Sequence, residues 1–152
     1  IGYDDSLNRA LYKSLQASNM RVVNYGTVLV TLADQDKDRA IPLVRRFYDL
    51  GFNIEATSGT AKLLKAHGIK TREKKKISEG SEEILDSIRK GHVTYILNTL
   101  SSNDSRTSKD GYQIRRCAVE NNVTVFTSLD TVNVLLDVLE EITMGVSTID
   151  QN

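Results

Sequence analysis

The sequence predicts an α/β fold, a three-layer α/β/α sandwich around a five-stranded parallel sheet. Short β-branched runs such as Thr27-Val28-Leu29-Val30-Thr31-Leu32 are continuously apolar, as in strands buried on both faces. Between the runs lie segments of helical apolar spacing, and strands joined through helices pair in parallel with right-handed crossovers. The length agrees: a chain of 152 residues buries roughly 70% of the surface its unfolded form exposes. Such a core needs no disulfide or metal.

Ser6 is expected to cap a first helix whose apolar residues Leu7, Ala10, Leu11 and Leu15 repeat at helical spacing, with Lys13 on the polar face. The first strand follows at 27–32. Asp34, Asp36 and Asp38 favour the start of a helix that carries Ile41, Val44 and Tyr48 as far as Gly51. Pro42 requires that helix to start late or to kink near its beginning. A second strand is predicted over 52–56, then a helix stopped near His67-Gly68. Residues 71–76 read as a short basic strand, in which alternation sends Lys75 to the face opposite Lys74 and Lys76. Ser81 caps the next helix, which has Glu82 and Glu83 in its first turn, Ile84, Leu85 and Ile88 on one face, and Gly91 as its stop. A fourth strand is predicted over 93–97, a polar loop over 101–110, a helix over 112–121 and a fifth strand over 123–127. The last helix spans 131–142, and the chain from Gly145 onward reads as a frayed tail.

Composition excludes several functions. Twenty basic and twenty acidic residues balance, whereas a nucleic-acid or anionic-membrane surface calls for a positive excess. No apolar run reaches the roughly 18 residues of a membrane span, and no signal peptide opens the chain, so a soluble, cytoplasmic protein is expected. Cys117 falls on an apolar helical face and reads as a small core residue in a reducing compartment. His67 and His92 are the only histidines and lie too far apart for metal-ligand spacing. The chain opens on Ile1 rather than Met, which suggests a piece of a longer protein.

Parallel α/β sheets bind ligands at the carboxyl ends of their strands, near a switch in strand order. The residues expected there are Thr31, Thr57-Ser58-Gly59-Thr60, Lys76, Asn98-Thr99 and Thr127-Ser128. Thr57 to Thr60 stand where a strand turns into a helix, so an anion can approach the free N–H groups of the first turn. The same hydroxyls could equally cap that helix with no ligand. Hydroxyls, an amide and a lysine on one rim suit a phosphate together with a sugar or base.

Gly26-Thr-Val-Leu-Val-Thr, Asp36-Lys37-Asp38-Arg39, Gly51-Phe52, Ala56-Thr57-Ser58-Gly59-Thr60-Ala61 and Gly68-Ile69 resemble the methylglyoxal-synthase-like domains. Tyr95-Ile96-Leu97-Asn98-Thr99, Ile114-Arg115-Arg116 and Thr127-Ser128-Leu129-Asp130-Thr131 look more narrowly like the C-terminal regulatory domain of the carbamoyl-phosphate synthase large subunit, Gram-positive type. The resemblance implies that 1–24 is the tail of a preceding carbamoyl-phosphate synthesis domain with its linker, 25–145 the allosteric domain and 146–152 a C-terminal tail. It implies a nucleoside monophosphate effector such as UMP, with IMP or phosphoribosyl pyrophosphate as others. Lys37, Thr57, Ser58, Gly59, Thr60 and Lys76 would hold the phosphate, and Thr31, Asn98 and Thr99 would lie beside the ribose and base. Leu100 stands where relatives often carry a hydroxyl, and Ser58 where His or Gly is common.

The implied partners are the rest of the large subunit and a glutaminase small subunit, with a homo-oligomer possible. No cofactor is implied for this domain; ATP with Mg or Mn would serve the parent enzyme, a ligase of pyrimidine and arginine biosynthesis. The alternatives are an enzyme of the methylglyoxal synthase or inosine-monophosphate cyclohydrolase type, or an oligomerisation module. Methylglyoxal synthase needs a carboxylate base from a Gly-Asp motif after the third strand and an Asp after the fourth. Here those regions read Lys76-Ile77-Ser78-Glu79-Gly80 and Asn98-Thr99-Leu100. Glu79, in a polar loop, reads as a solvated side chain. The Lys-Thr-Leu-His-Pro-like segment of the cyclohydrolases is missing.

Overall fold

The computed structural model describes residues 25–77, 80–99 and 105–151. The predicted first helix, residues 1–24, Ser78, Glu79 and Leu100 lie outside the described residues. In chain order the elements are β1 (Thr27–Thr31), a 3-10 turn (Asp34–Asp36), α1 (Lys37–Asp49), β2 (Asn53–Thr57), α2 (Ser58–Ala66), β3 (Thr71–Lys74), α3 (Glu83–Arg89), β4 (Val93–Asn98), α4 (Ser105–Glu120), β5 (Thr124–Phe126) and α5 (Leu129–Gln151). The strands form one sheet in the order β3-β2-β1-β4-β5, all parallel. The order reverses between β1 and β4, the place where an open α/β sheet leaves a crevice.

Two apolar clusters fill the spaces between the sheet and the helices on its two faces. Val28 and Val30 of β1, Ile54 and Ala56 of β2, and Tyr95 and Leu97 of β4 meet Val44 and Phe47 of α1, Leu64 of α2, and Leu135, Leu136 and Leu139 of α5. Leu29 and Ile96, on the opposite face, meet Ile84, Leu85 and Ile88 of α3 and Ile114, Cys117 and Ala118 of α4. Strand alternation explains the division. The two registers Thr27 to Val93 and Val28 to Tyr95 leave Thr94 as an extra residue, a β-bulge. The bulge is why Val93, three residues before Ile96, shares its face. Tyr95 sits among Phe47, Phe52 and Phe126 with ring centroids 6.2, 5.9 and 5.9 Å away, within the range of favourable aromatic packing. Burial raises the pKa of the Cys117 thiol, so it remains a protonated core residue.

Several boundaries differ from the sequence reading. α1 starts at Lys37 and runs through Pro42 in its second turn, where the ring faces solvent. The acidic start is shared, with Asp34 and Asp36 in the 3-10 turn, Asp36 also the N-cap of α1, and Asp38 in the first turn of the helix, as expected. β3 ends at Lys74, and Lys75 and Lys76 lie beyond it, both exposed, so strand alternation does not aim either one. α4 begins at Ser105 rather than at 112, which removes much of the predicted polar loop. Its first two turns have no apolar period in the sequence. α5 carries on through Gly145 to Gln151, where a frayed tail was expected. α2 and α3 stop just before Gly68 and Gly91, as predicted. Ser81 Oγ accepts the Glu83 N–H at 3.2 Å, one residue before the N-cap Glu82. Among the described residues no helix is long and apolar enough to cross a membrane.

Candidate functional site

Thr57 is both the last residue of β2 and the N-cap of α2, so the strand passes into the helix with no intervening loop. No side-chain cap hydrogen bond closes this end. The first-turn N–H groups, which have no partners within a helix, therefore face the rim together with the positive end of the helix dipole. Thr60 is buried, Ser58 half-buried and Gly59 exposed. A Cβ placed on Gly59 would stand 3.5 Å from Lys37 Nζ, so the ammonium of α1's first residue hangs over the start of α2. Asp34 Oδ1 holds that ammonium at 2.8 Å.

One strand further in, Thr31, Asn98 and Thr99 form a connected group. Asn98 Nδ2 donates to Thr31 Oγ1 at 2.7 Å, and Thr31 Oγ1 donates to the Leu97 carbonyl at 3.3 Å. Thr99 Oγ1 accepts the Ala33 N–H at 2.8 Å, and the Thr99 N–H donates to the Thr31 carbonyl at 3.2 Å. The loops leaving β1 and β4 are thereby fastened across the switch point. Asn98 and Thr99 are almost fully buried, at 3% and 4% exposure. Beside them opens a cleft of ≈ 200 Å³, lined by Asp36, Arg39, Thr99, Thr127, Ser128, Leu129 and Asp130. Arg39 and Asp130 approach to 4.0 Å across its mouth, and Ser128 Oγ accepts the Asp130 N–H at 3.2 Å.

Of the predicted rim residues, the structure gathers Lys37 with Gly59, and Thr31 with Asn98 and Thr99. Among the described residues no hydrogen bond or ion pair joins Lys76 to either group, and the residue in register with Thr57 is Lys74. The difference arises because β3 is two residues shorter than its basic run suggests. Sequence reasoning also missed a role for Arg115, whose Nη1 lies 2.9 Å from Asn98 Oδ1, and for Asp34. The spacing of Asp34 and Lys37, three residues apart on one helical turn, is a signal that could have paired them. Nothing local joins Arg115 to a strand 17 residues earlier. Among the described residues no group of His, Cys, Asp or Glu gathers as for a metal ion.

The family model for the MGS-like domain matches residues 39–127. The chain belongs to the MGS-like domain family. The match takes in Thr57 to Thr60, Lys76, Asn98 and Thr99 and stops short of Lys37. Methylglyoxal synthase from Elizabethkingia anophelis is similar in structure to this MGS-like domain, with a TM-score of 0.61 and 16% sequence identity over 76% of this chain and 79% of the other. At that identity the likeness is one of fold, and the five-stranded parallel sheet with helices on both faces is the shared feature.

Proposed function

We propose that this MGS-like domain is a regulatory module that binds a nucleoside monophosphate such as UMP, and that it serves the large chain of a glutamine-dependent carbamoyl-phosphate synthase. The observation that carries the reading is the Lys37 ammonium held over the uncapped start of α2. Free N–H groups, a helix dipole and a cation converging on one point favour a phosphate dianion. Thr31, Asn98 and Thr99 lie one strand away, within reach of the sugar and base of the same ligand. Neighbouring strands stand about 4.8 Å apart, and a nucleotide spans several such steps. Among the described residues the strand ends that face the rim carry Thr31, Thr57, Lys74 and Asn98, and the nearby carboxylates Asp34 and Asp130 face the cations Lys37 and Arg39. That supports binding without chemistry.

In this reading synthesis of carbamoyl phosphate, with its ATP and Mg or Mn, belongs to other domains, and the glutaminase subunit supplies ammonia. Regulation requires that the effector bind the two states of the parent unequally, and coupling of about 1–3 kcal/mol suffices. The test is a thermal shift of the protein with UMP, IMP, phosphoribosyl pyrophosphate and dihydroxyacetone phosphate, with product analysis on the last. A ligand at a hundred times its Kd adds about 2.7 kcal/mol, which for a chain of this size raises the midpoint by roughly 5–10 °C. A shift with UMP that Lys37→Ala abolishes is the expected result. Turnover of dihydroxyacetone phosphate to methylglyoxal would overturn the regulatory reading. A parent protein unmoved by any phosphate compound but self-associating would favour an assembly role.

A further inference from the structure

We propose that Arg115 is a positioning residue that sets the sense of the Asn98 amide, and that Gly111 provides the clearance for it. Together they make the hydroxyl-recognising half of the rim; the proposal rests on the reading of that rim as a phosphate-monoester site. A guanidinium only donates hydrogen bonds. With Arg115 Nη1 at 2.9 Å, the amide oxygen of Asn98 must face α4, and its NH2 must turn to Thr31 Oγ1 at 2.7 Å. Thr31, having accepted that hydrogen, directs its own to the Leu97 carbonyl. Among the described residues two valences have no partner, one amide hydrogen on Asn98 and one lone pair on Thr31. A donor beside an acceptor is the complement of an alcohol, which both gives and takes a hydrogen. It is a poor match for a phosphoryl oxygen, which only accepts. The rim is thus divided, with donors for phosphate at the start of α2 and a mixed pair for a sugar hydroxyl at the β1/β4 switch point.

Gly111 supports this assignment independently. It lies buried within α4, and a Cβ there would stand 2.8 Å from Arg115 Nη1 and 3.2 Å from Asn98 Oδ1. A glycine inside a helix costs about 1 kcal/mol relative to alanine. What it permits here is the approach of the guanidinium to the amide. Without Arg115 the Asn98 amide can satisfy Thr31 in either sense, since its oxygen and its NH2 both suit a hydroxyl.

The experiment is calorimetric titration of the whole protein with inorganic phosphate, ribose 5-phosphate and UMP. Removing a charge-assisted hydrogen bond from the sugar side with Arg115→Met is expected to weaken ribose 5-phosphate and UMP about tenfold or more while leaving inorganic phosphate within about twofold. Arg115→Lys, still a pure donor, restores most of the loss, and Gly111→Ala reproduces the Arg115→Met pattern. Equal weakening of all three ligands would make Arg115 a fastener of α4 and overturn the assignment while leaving the phosphate site standing. If the parent protein binds none of the three, the rim reading and this assignment fall together. Where Arg115→Met does not fold, the unaltered protein still decides. It must prefer UMP to its 2′,3′-dideoxy analogue, and equal affinity overturns the proposal.

Discussion

Replacing Arg46 with Met should loosen the two elements that flank the rim. Arg46, on α1, donates from Nε to Glu140 Oε1, from Nη1 to Asn133 Oδ1 and from Nη2 to Asp137 Oδ1, each at 2.7 Å. All three acceptors are on α5, so a single guanidinium staples the helices. α1 begins with Lys37, about 13.5 Å along the axis from Arg46, and α5 begins directly after Thr127 and Ser128. Exposed ion pairs contribute about 0.2–1 kcal/mol each. With Arg46 only 27% exposed and its carboxylate partners 51% and 41%, the two pairs and the amide bond together are worth about 1–2.5 kcal/mol. That corresponds to a fall of about 2–10 °C in the thermal midpoint.

The measurement is a circular-dichroism melt of both proteins in low salt and in 1 M NaCl, where screening shortens to about 3 Å. The parent should lose more stability in salt than the variant. The hydrogen bond to Glu140 chiefly raises the Arg46 pKa above its ordinary value. A raised cation stabilises the fold below its unfolded pKa, and that stability is lost only as pH rises through the folded pKa. Both lie above neutral pH by several units, so the difference between the proteins should be flat from about pH 6 to 9. Midpoints within 1 °C of each other, or equal salt responses, would refute the staple.

Gly26→Ala should be among the most damaging single methyl additions. Gly26 has φ +115, and a Cβ there would lie 1.9 Å from Thr94 Oγ1, the bulge hydroxyl that donates to the Tyr25 carbonyl at 3.0 Å. Backbone strain and the lost bond together predict about 2–4 kcal/mol in urea unfolding, and adding Thr94→Ala should recover only the steric part. A loss under 1 kcal/mol would contradict this geometry. Glu55→Gln should act in the opposite direction. Glu55 is buried on β2 in register with Leu29 and Arg72, and its Oε1 has no partner among the described residues. Replacing a carboxylate oxygen buried without a partner by an uncharged amide oxygen should raise the midpoint by about 2–4 °C, for roughly 1 kcal/mol. A lower midpoint would show that the charge is compensated.

Much of the fold was legible because its signals are local. The continuous run at 27–32, the helical spacing of Ile84, Leu85 and Ile88, and the glycine stops need no knowledge of distant residues. The elements that misled carry mixed signals. The basic run 71–76 looked like one strand, yet only its first four residues pair with β2. The polar stretch before Tyr112 has no apolar face to reveal that α4 has already begun at Ser105. Pro42 weakened the case for α1 through loss of one N–H, but Ala40, Val44 and Phe47 bury the helix regardless. Packing of that face outweighs one hydrogen bond on its solvent side.

By itself the sequence determined that five parallel strands would send their carboxyl ends to one rim, and which hydroxyls and amide those ends would carry. Alternation of strand and helix suffices for that, because every crossover returns the chain in the same direction. Only the tertiary structure decided the order β3-β2-β1-β4-β5, the bulge at Thr94, and the meetings of Lys37 with Gly59 and of Arg115 with Asn98. Those depend on how far apart packed layers stand and on which side chain reaches across them. No period in the chain encodes such a distance, since it is set by the summed volumes of the core residues between the contacting groups.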